Sequence, residues 1–191
     1  YLVFQPLHDL AHRHGTSVTL TPCLLGGIFK ATNNQSPLYA FSGVKGKLAY
    51  DNLEMHRFAD KHHLSKFHFS PHFPVNTLMA MRGLVAAQHL GVADAYVAAV
   101  MKAMWEDGLK MDDPAIFAQA LDDAGLDSAA IGAKLQEQPI KDELIANTTT
   151  AVERGVFGAP TFFIADEMFF GKERLGQMDE LLTQISEGNA A

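Results

Sequence analysis

Apolar positions recur at helical spacing along most of the chain and give way to strand-like runs in only a few places. Leu7, Leu10 and Ala11 share one face of a helix over residues 1–14, bent near Pro6 and stopped at Gly15. Residues 17–25, Ser-Val-Thr-Leu-Thr-Pro-Cys-Leu-Leu, alternate and are rich in β-branched side chains. That pattern predicts a strand ending near Pro22 or Leu24. Gly26-Gly27 then releases the backbone, and residues 28–37 read as a short helical turn followed by a polar loop. Leu48, Leu53, Met55, Phe58 and Ala59 give a helix over 44–61, whereas 62–76 hold Pro71, Pro74 and no helical stripe, which predicts a structured loop. Five helices are predicted beyond it. The first, over 78–90, starts at Asn76 or Thr77 and stops at Gly91. The second, 94–107, turns Tyr96, Val100, Met101 and Met104 inward, and the third, 113–124, has Pro114 in its first turn, where a missing N–H costs nothing. The others cover 127–136 and 139–154.

A different pattern begins at Gly155. In Gly-Val-Phe-Gly-Ala-Pro-Thr-Phe-Phe-Ile, residues 155–164, two glycines and a proline lead into a continuous apolar run that predicts a short buried strand from Thr161 to Ile164. Pro160 stands at the strand entrance, where its missing N–H breaks no ladder bond. The Ala159-Pro160 bond can be cis and would then leave backbone groups at a sheet end. Only about 5–6% of X-Pro bonds in folded proteins are cis, so Ala-Pro alone reads as an ordinary turn. Asp166-Glu167 predicts a hairpin turn, Met168-Phe169-Phe170 the return strand, and 172–186 the last helix. Two halves of one small sheet flanking a helical block imply an insertion. With one more strand ahead of residue 1 the halves are βαβ and ββα, the thioredoxin fold. Residues 1–43 and 151–191 then form a split thioredoxin-like domain around an inserted helical domain, 44–150.

Composition narrows the function. At 191 residues, 48% hydrophobic and 19% charged, the chain is long enough to bury a sizeable core. A formal charge of −7, from 15 basic against 22 acidic residues, argues against nucleic acid or an anionic membrane as partner. No run of 18 apolar residues or secretory leader pattern is present. The lone Cys23 excludes an internal disulfide and any Cys-x-x-Cys within these residues, in keeping with a cytoplasmic protein.

Three blocks carry a resemblance. Leu-Leu-Gly-Gly-Ile-Phe-Lys-Ala-Thr-Asn-Asn-Gln-Ser-Pro (24–37), His-Phe-Pro-Val-Asn-Thr-Leu (72–78) and Val-Phe-Gly-Ala-Pro-Thr-Phe-Phe-Ile-Ala-Asp-Glu-Met-Phe-Phe-Gly-Lys-Glu-Arg-Leu (156–175) together resemble the 2-hydroxychromene-2-carboxylate isomerases. These are glutathione-dependent enzymes of the kappa-class glutathione transferase and DsbA-type superfamily. The resemblance implies a kappa/DsbA-like thioredoxin fold, with glutathione as cofactor, an aromatic carboxylate as substrate and a homodimer as assembly. It implies that Ala159, ahead of Pro160, pairs through its backbone with the cysteinyl part of glutathione, as an added antiparallel strand would. Phe170, Gly171, Lys172 and Glu173 match the site for the γ-glutamyl end. There Glu173 stands for the usual Asp that receives the γ-glutamyl ammonium, at a helix start that also suits a carboxylate. Lys30 matches the lysine that meets the substrate carboxylate, with Asn34 in the polar loop beside it. Phe73 matches an aromatic position lining the substrate pocket, and Asn76 is either a pocket amide or the cap of the following helix.

Each of these residues has a plainer reading: an acid that stabilises a helix N-terminus, a solvated surface lysine, a helix cap. His62, His63, His68 and His72 fall close together but lack metal-ligand spacing, and His8 and His12 share a polar helix face, so no metal is expected. Cys23, on the predicted strand, reads as a buried thiol. Tyr1-Leu2-Val3 matches the Tyr-Leu-Ala that follows Ser-Pro-x-Ser in the family, which places the expected thiolate-handling Ser, with its strand, upstream of Tyr1. The chemistry implied is addition of the glutathione thiolate to the substrate ring, ring opening, bond rotation and elimination to the benzylidenepyruvate isomer. A kappa-class transferase shares the same glutathione site. A DsbA-type oxidoreductase differs by two cysteines at the upstream junction, and a non-catalytic thioredoxin-fold binding protein by failing to bind glutathione.

Overall fold

The computed structural model of the chain describes residues 1–188, which pack as two compact units. One comprises residues 1–20, 33–65 and the segment from Val156 onward; the other comprises 21–32 and 66–155.

The first unit holds α1 (Phe4–Arg13), α3 (Pro37–Ala40), α4 (Lys47–Lys61), β1 (Thr161–Ile164), β2 (Glu167–Phe170) and α10 (Leu175–Gly188). Pro6 sits in the first turn of α1 and is buried with Leu10 and Ala11, so its missing N–H interrupts no bond within the helix, which runs on to Arg13. Gly46, in the left-handed region at φ 81°, ends the loop ahead of α4, so this helix begins at Lys47 and not at Val44. β1 and β2 form an antiparallel hairpin with Thr161 opposite Phe170 and Ile164 opposite Glu167. The turn is therefore Ala165-Asp166, one residue earlier than expected, with Ala165 at φ 50°. Gly171, at φ 99°, redirects the chain from β2 into a 3-10 turn over Lys172–Arg174, and α10 starts only at Leu175. Residues 172–174 thus precede the α-helix that was expected to include them. α1 packs on α10.

The second unit is helical: α2 (Leu25–Thr32), α5 (Leu78–His89), α6 (Ala93–Trp105), α7 (Pro114–Asp123), α8 (Ser128–Lys134) and α9 (Gln138–Glu153). Its core includes Val85 of α5 with Ile140 and Leu144 of α9, against which Leu24, Leu78 and Met81 pack. Caps set the helix starts. Asp113 accepts from the N–H groups of Ala115 and Ile116, Asp127 from that of Ala130. Buried Thr148 ties α9 to the entry of α2, accepting from Leu24 N–H at 2.9 Å and donating to Leu144 O at 2.7 Å.

The strand expected over 17–25 does not form. Its β-branched residues meet no ladder, because β1 and β2 make up the one sheet among the described residues. Gly26 and Gly27 lie inside α2 and do not release the backbone. A Cβ at Gly27 would come within 3.1 Å of the Thr148 methyl, so this glycine serves the close approach of α2 to α9.

Candidate functional site

In the first unit the site is built around the loop that enters β1. Gly158 is buried, and a Cβ there would stand 2.9 Å from the Phe170 ring, so only glycine lets the loop lie against β2. The rings of Phe157 and Phe170 meet at 4.5 Å, and the Thr161 hydroxyl donates to Gly158 O at 2.8 Å. Asn34 reaches the same loop: its amide nitrogen donates to Phe157 O at 2.8 Å, while its oxygen accepts from Gln35 N–H. The Ala159-Pro160 peptide is cis, and Gly171 N–H donates to Pro160 O at 3.0 Å. Ala159 is exposed, and among the described residues neither its N–H nor its C=O is hydrogen-bonded. A free donor and acceptor on one residue suit an added extended strand.

Beyond Phe170, the Lys172 side chain folds inward until 15% of it is exposed. Its ammonium lies over the Phe58 ring, 5.2 Å from the centroid, and hydrogen-bonds the Glu173 carboxylate. Burial pushes the Glu173 carboxyl up, but hydrogen bonds from Lys172 and from its own backbone N–H, with the charges of Lys172 and Arg174, outweigh it and hold the group below its ordinary value.

Lys172 and Glu173 open onto a cavity of about 500 Å³, a size suited to a small ligand. Its other walls are α1, with Asp9 and Arg13, α4, with Glu54, Arg57 and Lys61, and the start of α10, with Asp179. Phe58 lies in the same wall with the His62 ring 4.3 Å away. Burial lowers the His62 pKa, the positive charges of Lys61 and His63 lower it further, and Asp9 opposes them. None of the α1 and α4 residues was singled out from sequence. The signal available was the apolar stripe of α4, which marks Phe58 as inward but not as a ring beneath a cation.

The second unit holds the remaining candidates. Lys30 is exposed on α2, where the hydroxyl of Thr32 bonds Ile28 O one turn back. Phe73 is exposed and belongs to a group of rings with Phe69 at 4.9 Å and Trp105 at 6.5 Å, and its bond to Pro74 is a second cis peptide, unmarked in the sequence. Asn76 accepts from Leu78 N–H at 3.0 Å, which is the helix-start geometry. Asn34, Ala159, Pro160, Phe170, Gly171, Lys172 and Glu173 therefore share one unit, while Lys30, Phe73 and Asn76 share the other.

Cys23 lies outside any strand and is half-buried. Its thiol contacts Thr21 O and Asn147 O at 3.6 Å, and burial pushes its pKa up, away from thiolate reactivity. Among the described residues no helix is long and apolar enough to cross a membrane, and no three His, Cys, Asp or Glu are grouped to hold a metal ion.

Comparison with known proteins agrees with this architecture. The family of DSBA-like thioredoxin domains matches residues 1–183. A 2-hydroxychromene-2-carboxylate isomerase of Pseudomonas putida is 28% identical, the match covering 100% of this chain and 91% of that protein. The enzyme of the same name from Sphingobium xenophagum is also 28% identical, over 95% of this chain and 91% of its own. The solved structure of a 2-hydroxychromene-2-carboxylate isomerase superposes with a TM-score of 0.84 at 27% identity, covering 100% of this chain and 91% of that one. The chain belongs to the DsbA-like thioredoxin domain family.

Proposed function

We propose that the protein is a glutathione-dependent isomerase of 2-hydroxychromene-2-carboxylate or a similar bicyclic aromatic acid, working as a cytoplasmic homodimer in the breakdown of fused-ring aromatics. The observation that carries the glutathione part is the exposed, unbonded backbone of Ala159, set beside Phe170 and Gly171 through the Gly171 to Pro160 hydrogen bond. The names of relatives that match 95–100% of the chain support the isomerase part. Glutathione would supply a thiol nucleophile, a group that Cys23, with its raised pKa, is poorly placed to replace. Ala159 would pair with its cysteinyl unit, and residues 170–173 would hold its γ-glutamyl end. The ammonium of Lys30 would take the carboxylate of the aromatic acid, and Phe73 would stack on its rings.

The test is isomerisation of 2-hydroxychromene-2-carboxylate with and without glutathione, followed by its ultraviolet absorbance. Conversion only in the presence of glutathione is expected. Equal conversion without it overturns the cofactor assignment, and accumulation of a stable glutathione conjugate in place of the isomer would make the protein a kappa-class transferase.

A further inference from the structure

Residues 37–57 of the first unit leave an apolar face uncovered. α3 buries none of its residues, and α4, fifteen residues long, buries only Ala59. A helix of that length draws most of its stability from packing rather than from propensity. Leu48 and Met55 are half-buried on the side of Ala59, while the opposite side of the helix holds Tyr50 and Leu53, 54% and 46% exposed. The turns ahead of α4 add Tyr39 at 64%, Phe41 at 38% and Val44 at 52%. They fold onto its start: Val44 O accepts from Lys47 N–H at 3.2 Å, and the Lys47 ammonium lies over the Phe41 ring, 4.9 Å from the centroid. At roughly 200 Å² for a large side chain, these five expose on the order of 500 Å². A standard interface takes about 800 Å² from each partner, about 65% of it apolar between copies of one chain, which is also about 500 Å².

Charge selects the occupant. Asp51 pairs with Lys47 and Glu54 with Arg57 within α4, so of the five charged residues in 37–57 only Lys45 is left over. A face so near neutral offers no counter-charge to a strongly charged partner, and it lets two copies, each of formal charge −7, meet where they repel least. In a two-fold contact the same face meets itself, and an apolar, internally paired surface is complementary to its own copy. We propose that a second copy of the chain docks on this face through a two-fold contact centred on Tyr50 and Leu53, with Tyr39, Phe41 and Val44 around them. The inference rests on the homodimer reading above and adds the surface that makes the dimer. Tyr50 precedes Glu54 by one turn on the side of α4 that lines the cavity, so the partner copy borders that cavity.

Analytical ultracentrifugation of the wild type, Tyr50→Glu, Leu53→Glu and Ile145→Glu over a range of concentrations tests the face. Ile145, 56% exposed on α9 in the other unit, is the control for placing a carboxylate on an exposed apolar residue. The wild type and Ile145→Glu should sediment as dimers. Tyr50→Glu and Leu53→Glu should each raise the dimer dissociation constant about thirtyfold or more, the scale of a lost interface hot spot, with circular dichroism unchanged. A second measurement needs no variant: amide hydrogen exchange over 47–57 in the wild type should slow as the protein is concentrated from monomer to dimer, while exchange in α9 stays the same. Wild-type dissociation constants in both Tyr50→Glu and Leu53→Glu, or exchange over 47–57 that ignores concentration, would overturn this face and leave the homodimer reading in place. A wild type that remains monomeric at every concentration removes the homodimer reading and this inference with it, and leaves the isomerase reading to its own assay.

Discussion

The carboxylate of Asp179 accepts a hydrogen bond from the His14 imidazole at 2.5 Å. Arg13 adds two contacts at 3.2 Å, so the end of α1, rich in basic groups, is fastened to the first half of α10. Basic residues in a last helical turn also answer the free carbonyls there. Arg13 and Asp179 both line the cavity, so this clamp fixes one of its walls while neutralising its own charges.

Asp179→Asn should lower stability by about 1 kcal/mol or less, because the pair is partly exposed and solvent screens it. The His14 hydrogen bond is the main cause of the depressed Asp179 pKa, burial opposes it, and Arg13 reinforces it. A depressed carboxyl contributes stability above its unfolded value, about 4, and loses that contribution as the pH falls through the lower folded value. Thermal unfolding followed between pH 2 and 7 should therefore show the wild-type advantage at pH 6 shrinking below about pH 4. An advantage that persisted at pH 2 would dissociate the clamp from stability.

Tyr96 and Gly83 should behave as a coupled pair. Tyr96 is 1% exposed and its hydroxyl donates to Ala80 O at 2.7 Å, burial pushing the phenol pKa far up. A Cβ at Gly83 would lie 2.2 Å from that hydroxyl. Gly83→Ala, which in an open helix adds stability, should here cost about 1–3 kcal/mol through overpacking. Tyr96→Phe removes the closest atom but leaves a ring carbon at 2.8 Å, so it should relieve the clash in part. Chemical denaturation of both single variants and the double should give a double cost smaller than the sum. Strict additivity would sink the argument.

Helices were legible in this sequence because their signals are local. Asp113, Asp127 and Pro114 mark starts, Gly91 marks a stop, and all four stand where expected. Residues 17–25 failed because a strand is defined by its neighbour, which propensity does not report. Gly26-Gly27 failed similarly: a glycine that admits Thr148 of a distant helix looks the same in sequence as one that makes a turn. The backbone at Ala159 was reached through the motif around it, whereas the cavity walls on α1 and α4 were not, since Arg13, Lys61 and Asp179 are ordinary surface residues until α1, α4 and α10 come together within one unit.

Gly158 offers a direct test of the β1 entrance. Its alanine variant must push the Phe170 ring away from the 2.9 Å position, and so disturb the Phe157 contact and the strand end that leads to Gly171. Glutathione affinity measured by calorimetry should fall about tenfold or more while the protein stays folded by circular dichroism. Gly158→Ala combined with Phe170→Leu, which trims the ring, should recover part of the loss. Unchanged affinity in the single variant would remove this loop from the binding site.

Lys30 tests the substrate side separately. It is exposed on α2, whose anchoring residue is the buried Ile28, so Lys30→Ala should change stability by about 0.5 kcal/mol or less. A charge-assisted hydrogen bond to a substrate carboxylate is worth more than that, about 1.5–3 kcal/mol, and its loss should lower kcat/KM for 2-hydroxychromene-2-carboxylate about tenfold or more. The affinity for glutathione should stay near the wild-type value, because Lys30 is not among the residues proposed to hold it. Lys30→Arg keeps the charge on a differently shaped head and should retain part of the activity. If kcat/KM is unchanged in Lys30→Ala, the lysine is a solvated surface residue and the carboxylate of the aromatic acid is held elsewhere. If glutathione affinity falls with it, Lys30 bears on the thiol peptide and not on the aromatic acid.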